Sequence, residues 1–410
     1  MTGFLQSLGV PRRLNAAGTL TRLGGALMAP EVLQAMQEAA ACSVDMAELQ
    51  TAASQRIAGL TGAEAGLVTT GASAGLTLAT AACLAGWDAA RMAALPDTQG
   101  MPARVLMHRT HRNTYDHAVR LAGGCIVDIG HNDRGTGAGV RSLEAWEIES
   151  ALDAQTAAFV FVASPEALPL LPVVLEVMHR HGLPVVVDAA AQLPPRENLR
   201  RYVEMGADLV VFSGGKALEG PQSTGLLIGR RDLIGSALLQ MMDMDVHPRT
   251  WAPAGLVDMA RLRGTPLHGI GRGFKAGKEE IAGLLCALQR FVERDEAAQV
   301  AQWMQRLQVM VRAWTAQAPM LAPVLWPAGP SQPVPQIALH TPEPAAQFSR
   351  RLQTMAPPVH LAESRMDEGV LLVNPMALAA ADDALLVQQI VRAAQDAWPS
   401  ASGTGAFAER

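Results

Sequence analysis

Two rhythms of apolar residues alternate through the middle of this chain. Short continuous runs form one: AGLVTTG from Ala65, RVLMHR from Arg104, CIVDIG from Cys125, TAAFVFVAS from Thr156, LPVVVDAAA from Leu183, ADLVVFSGG from Ala207 and TGLLIG from Thr224. Between them lie stretches with helical spacing, such as ASAGLTLATAACLAG, NTYDHAVRLAGG and residues 172–181. Strands alternating with helices of this length predict an α/β fold whose parallel or mixed sheet is covered on both faces. Runs as apolar as PVVVD suit strands buried on both sides.

The flanks follow other patterns. Residues 1–30 have little periodicity and read as an irregular arm. PEVLQAMQEAA then opens a helix with Pro30 at its first position, where a missing N–H costs nothing. MAELQTAASQRIAGLTG is a second helix stopped at Gly62. Residues 241–275 lack a clear period and read as a functional loop region. From Lys278 the chain is strongly helical, one long helix or two, and the Pro-rich stretch 322–335 leads into a mixed strand and helix region. The expected organisation is an arm and helix over 1–45, a large domain over 46–275, a small domain over 276–397 and a frayed tail over 398–410.

Composition narrows the class. With 410 residues, 49% hydrophobic and 17% charged, the chain can build a large core. Its net charge of −5, with no basic block, speaks against nucleic acid as a partner. Cys42, Cys83, Cys125 and Cys286 are scattered without a C-x-x-C pair and read as buried thiols in a reducing cytosol. The longest apolar stretch, near 74–86, is too short and too weak to span a bilayer. The expectation is a soluble, cytoplasmic protein with no membrane partner and no metal.

Candidate chemistry sits at the ends of the apolar runs, because ligands of α/β sheets collect at the carboxyl ends of strands. Thr69 to Ser73, His108 to Arg112, Ser164, Asp188 and Ser213-Gly-Gly-Lys216 all occupy such positions. Asp188 ends a strand too apolar to host a carboxylate alone, so it needs a partner. Lys216 could simply be that partner in a buried salt bridge. Alternatively, a lysine in an apolar pocket loses its proton readily and attacks an aldehyde. The aspartate would then keep the pyridine nitrogen of pyridoxal 5'-phosphate protonated. TTGASAG supplies the anion site that this cofactor requires: N–H groups at Gly71, Ala72 and Ser73 open a helix, and Ser213 can add a hydroxyl. Gly214 and Gly215 are expected to let backbone and cofactor approach closely.

These residues carry a resemblance. LNAAGTLTRLGG, LTGAEAGLVTTGASAGLTLATAACLAG, HRNTYDH, SGGKALEGPQSTGLLIG and GRGFKAGKEEIAGLLCAL resemble the selenocysteine synthase-like group of fold-type I pyridoxal phosphate enzymes, and within it the D-glucosaminate-6-phosphate ammonia-lyase-like branch. The block SGGK-x-x-x-GPQS-x-G is the most specific of them. The resemblance implies a fold-type I transferase fold with a mixed, mostly parallel, seven-stranded-type sheet and a smaller C-terminal α+β domain. It implies Lys216 as the imine-forming lysine and general base, Asp188 as the pyridinium partner and His111 as the ring-stacking imidazole. Gly71, Ala72, Ser73 and Ser213 would hold the phosphate. Arg22, Arg109, Arg112 and Arg272 are candidates for a substrate anion, with a surface ion pair as the alternative for Arg109 and Arg112, and Lys275 and Lys278 are further anion-site candidates.

The implied reaction is α,β-elimination of the ammonia-lyase type on a hydroxylated amino acid or amino-sugar acid, giving a 2-oxo acid and ammonia. The implied assembly is a homodimer or larger even homo-oligomer. Alternatives are a selenium or sulfur transferase acting on seryl-tRNA, another carbanion reaction (racemase, aldolase, transaminase), and a non-catalytic cofactor-binding protein.

Overall fold

All seven apolar runs form strands of one sheet in the computed structural model, which describes residues 3–133, 142–253, 255–342 and 344–399. In chain order they are β1 (Ala65–Thr69), β2 (Arg104–His108), β3 (Cys125–Ile129), β4 (Thr156–Val162), β5 (Val185–Asp188), β6 (Leu209–Ser213) and β7 (Gly225–Gly229). They lie in the order β1-β7-β6-β5-β4-β2-β3. Only β7 runs against its neighbours; β6, β5, β4, β2 and β3 are mutually parallel. The mixed, mostly parallel expectation holds.

Continuous apolar runs became strands because both faces are covered. Val185, Val186 and Val187 are fully buried, each contributing roughly 1.5–3 kcal/mol of burial. The helix Ala72–Ala85 lies against the sheet with eleven of its residues buried. Its small residues allow this closeness: a Cβ at Gly75 would stand 3.2 Å from Val211 Cγ1. β3 is the edge, and Cys125 at its start is exposed, as is Cys42. The reading of four buried thiols is therefore corrected: an edge strand leaves one side of Cys125 uncovered, Cys42 is exposed just after the helix Pro30–Ala40, and Cys83 and Cys286 are half-buried.

The chain divides into two compact units. Residues 28–293 form the larger, and residues 3–27 with 294–399 form the smaller among those described. The helical stretch after Lys278 is two helices, Lys278–Glu293 and Glu296–Gln317, the second capped by the Asp295 side chain. The first packs on Pro30–Ala40, and Arg290 meets Glu31 at 3.1 Å. That packing moves the boundary after Glu293, beyond the expected residue 275.

In the smaller unit, three antiparallel strands (Val324–Trp326, Gln336–His340, Val370–Val373) join a core that includes Trp314 and Phe348. Leu14–Ala16, expected to be irregular, pairs in parallel with Val359–Leu361. No helix among the described residues is long and apolar enough to cross a membrane. The tail from residue 400 lies outside the described residues.

Candidate active site

The strand ends gather on one rim of the larger unit. β1 and β6 run in the same direction on either side of β7, with Thr69, Gly225 and Ser213 in register. Asp188 ends β5 with Val162 opposite on β4 and Val211 on β6. His108 ends β2, and the 3₁₀ turn Arg109–His111 follows directly.

Asp188 is half-buried at the mouth of its valine strand. One carboxylate oxygen accepts the Ala190 N–H at 3.0 Å. Burial raises its pKa above the usual carboxylate range, while that hydrogen bond and the charge of Lys216 pull it down. Lys216, also half-buried, stands in the turn after β6. Burial lowers its pKa, and Asp188 opposes the change. The two groups thus feel each other's charge, yet among the described residues Lys216 makes no direct ion pair. That separation disfavours the simple salt-bridge alternative.

His111 is buried, with Nδ1 accepting the Val162 N–H at 3.4 Å and its ring edge-on to Phe161 at 4.6 Å. Since Nδ1 faces a donor, the proton sits on Nε2. That Nε2 is buried without a partner among the described residues. Burial first, and then His108, push its pKa down to about 4, so the ring is neutral at neutral pH. His108 itself is held between Thr110 Oγ1 at 2.5 Å and the Ser142 carbonyl at 3.1 Å.

The anion turn is built from glycines. Gly71, with φ +100°, caps the helix Ala72–Ala85 and offers no side chain to its first N–H groups. Those donors are left for an anion at the positive end of the helix dipole. Ala72 is half-buried and Ser73 exposed. A Cβ at Gly225 would lie 2.3 Å from the Gly71 carbonyl carbon and 2.7 Å from the Ala72 nitrogen, so the turn rests directly on β7. Thr70 Oγ1 donates to the Phe274 carbonyl at 3.0 Å, tying this turn to the segment that carries Arg272 and Lys275.

Gly214 and Gly215 allow the close approach of the chain that follows them. A Cβ at Gly214 would meet Thr224 Oγ1 at 2.0 Å, and one at Gly215 would meet Gln222 Cα at 2.6 Å. The GPQST return occupies the space they leave. Gln222, whose buried Oε1 has no partner among the described residues, is a site candidate that sequence reasoning passed over inside its own motif. Asn113 was also missed; with Asp188 and Val162 it lines a small indentation of the rim.

The arginines divide. Arg112 donates from Nε to Asp116 at 2.5 Å and from Nη1 to Asp128, so it is committed to two carboxylates. Arg112 thus makes the ion pairs that the alternative reading named. Arg109 is exposed at the rim turn. Arg272 pairs with Asp243, keeps a buried Nε without a partner among the described residues, and lines a cavity of about 480 Å³ with Lys275, Asp45 and Trp251. Lys278 pairs with Glu279. Arg22 belongs to the smaller unit, where Glu363 lies 3.5 Å away.

Comparison with known proteins bears on the same residues. The Aminotransferase class-V family matches residues 141–321, a span containing Asp188 and Lys216. D-glucosaminate-6-phosphate ammonia lyase of Salmonella typhimurium is 30% identical over 408 residues, 96% of this chain and 98% of that one. The chain belongs to the ammonia-lyase-like branch of the fold-type I pyridoxal phosphate enzymes. A solved structure of D-glucosaminate-6-phosphate ammonia-lyase superimposes on this lyase-branch enzyme with a TM-score of 0.78 at 28% identity, over 97% of this chain and all of that one. A 5'-C-glycyluridine monooxygenase-decarboxylase of a Streptomyces species is also 30% identical, over 94% of this chain and 90% of its own.

Pyridoxal 5'-phosphate is the cofactor of this enzyme, and the rim fits it. The helix start at Ala72 has open donors, His111 Nε2 is an unmet buried donor, and Lys216 and Asp188 are coupled without touching.

Proposed function

We propose that Lys216 and Asp188 are the reactive centre of a lyase that eliminates ammonia from a hydroxylated amino acid or amino-sugar acid. The carrying observation is the pair itself: a lysine and an aspartate on adjacent strand ends, each pushed by burial toward its neutral form and each drawn back by the other. Pyridoxal phosphate, when bound, withdraws electrons from the substrate carbon that bears the amine. Gly71, Ala72, Ser73 and Ser213 would hold its phosphate, and Asp188 would hold its ring nitrogen. His111 would cover the ring with a neutral imidazole, adding no charge where the electrons are drawn.

Lys216 would take the proton from the α-carbon, because a half-buried amine is uncharged more readily than a solvated one. The β-hydroxyl leaves with a proton as water. Addition of water at the α-carbon then releases ammonia and leaves a 2-oxo acid, so the substrate equals the sum of its products. Exposed Arg109 is the rim cation available to a substrate carboxylate or phosphate. A homodimer or larger even assembly in the cytoplasm belongs to the same reading, supported by exposed Phe4, Leu5 and Leu8.

The test is a screen of hydroxylated D- and L-amino acids and amino-sugar acids, with ammonia and 2-oxo acid measured together. Equimolar release by the wild type, absent in Lys216→Ala, is expected. A second reading, oxygen-consuming decarboxylation, is favoured by the equal identity to the Streptomyces enzyme. Oxygen uptake with carbon dioxide release, and no ammonia, would select it.

A further inference from the structure

The smaller unit contains a cavity of about 1090 Å³ apart from the Lys216 rim. Three arginines line it: Arg12, Arg13 and Arg22. Arg12 is matched by Asp382 at 2.5 Å. Among the described residues Arg22 has only Glu363, at the long distance of 3.5 Å. Glu363 is fixed through its other oxygen, which accepts from Ser349 Oγ at 2.6 Å and Gln353 Nε2 at 2.9 Å. It therefore steers the Arg22 guanidinium without saturating it.

Arg13 has no carboxylate partner among the described residues. Its Nη1 lies 3.3 Å from His360 Nε2. A guanidinium only donates, so Nε2 is the acceptor and the His360 proton sits on Nδ1. His360 is 5% exposed, and Nδ1 is buried without a partner among the described residues. Burial, then Arg13 and Arg22, lower its pKa, so this ring adds no charge and does not compete with the arginines for an anion. The pairing of Leu14–Ala16 with Val359–Leu361 sets Asn15 opposite His360, and Asn15 Nδ2 holds the Gly18 carbonyl at 3.0 Å in the turn before Arg22. The arginines thus stand on a braced frame with three cations facing two carboxylates.

We propose that this cavity binds an oxyanion, phosphate or carboxylate, held by the guanidinium groups of Arg13 and Arg22, with His360 as the positioning residue of Arg13. Two unsaturated guanidinium forks lining one cavity suit either anion. The site lies within the smaller unit and does not depend on which reaction Lys216 supports.

Phenylglyoxal labelling of the full-length holoenzyme, mapped by peptide mass spectrometry, tests it. Sodium phosphate and sodium acetate are compared with chloride at equal ionic strength. The anion that binds should slow labelling of both Arg13 and Arg22 by roughly tenfold at about ten times its Kd. Protection by phosphate alone or by acetate alone identifies the class and supports the site. Arg13 is exposed, so Arg13→Gln should fold and should abolish anion protection of Arg22. No protection by either anion, or unchanged protection of Arg22 in Arg13→Gln, overturns the proposal.

Discussion

Lys216 is pulled two ways. Burial removes its proton and Asp188 returns it, with burial the larger effect. In the apo-protein, capture of pyridoxal phosphate should therefore speed up with pH along a curve whose midpoint lies below the ordinary lysine value of 10.5. Asp188→Asn removes the attraction that raises the pKa, so the midpoint should move lower still. Stopped-flow absorbance across pH reads both; a midpoint that rises in Asp188→Asn would contradict the coupling.

His111 gives a stability signature of the same sense as that of a paired carboxylate, but at higher pH. Its pKa falls from 6.5 unfolded to about 4 folded. Between those values the unfolded chain binds the extra proton, so stability is full above pH 6.5 and declines as pH falls toward 4. The loss is on the order of 3 kcal/mol. His111→Asn should flatten the urea-midpoint profile across that window, and an unchanged slope would count against a buried neutral ring. Asp188 and Lys216 were legible in the sequence because charged residues directly after apolar runs are costly to bury. Half of the fate of Arg112 was legible, with Asp116 four residues on, whereas its second partner Asp128 comes from β3 and carries no local signal.

At the scale of elements, glycines decide how closely strands and turns approach. Gly225→Ala would drive a Cβ into the backbone of Gly71 and Ala72. Overpacking against backbone should cost about 1–3 kcal/mol or more and weaken cofactor retention together with stability. Gly59 is the control: it lies inside the helix Met46–Thr61, and a Cβ there meets nothing within 4 Å. Gly59→Ala should stabilise by roughly 0.4–1 kcal/mol. Thermal melts of the two variants check both signs; equal shifts would mean that close approach at residue 225 is not what the glycine serves. The strands themselves were readable because full burial leaves an unbroken apolar run. The glycines of SGGK were harder: what fills their space, residues 222–224, is fixed by the return of the chain into β7 and carries no local signal.

For the molecule as a whole, the α/β pattern announced the larger unit, whereas the smaller one is assembled from distant parts. Leu14–Ala16 is three residues long and pairs with Val359–Leu361, so no periodicity within 1–30 could reveal it. The helix Lys278–Glu293 shows the same limit, because amphipathic spacing tells that a face is buried and not against which unit. Neither uncertainty touches the rim of the larger unit, where five parallel strands and β1 bring their ends together. The decisive measurement fixes the cofactor to the chain by borohydride reduction of the holoenzyme, followed by digestion and peptide mass spectrometry. A pyridoxyl group on Lys216, and its loss in Lys216→Ala, is the predicted result. The same group on any other lysine, or none at all in a protein that still turns over, would contradict it.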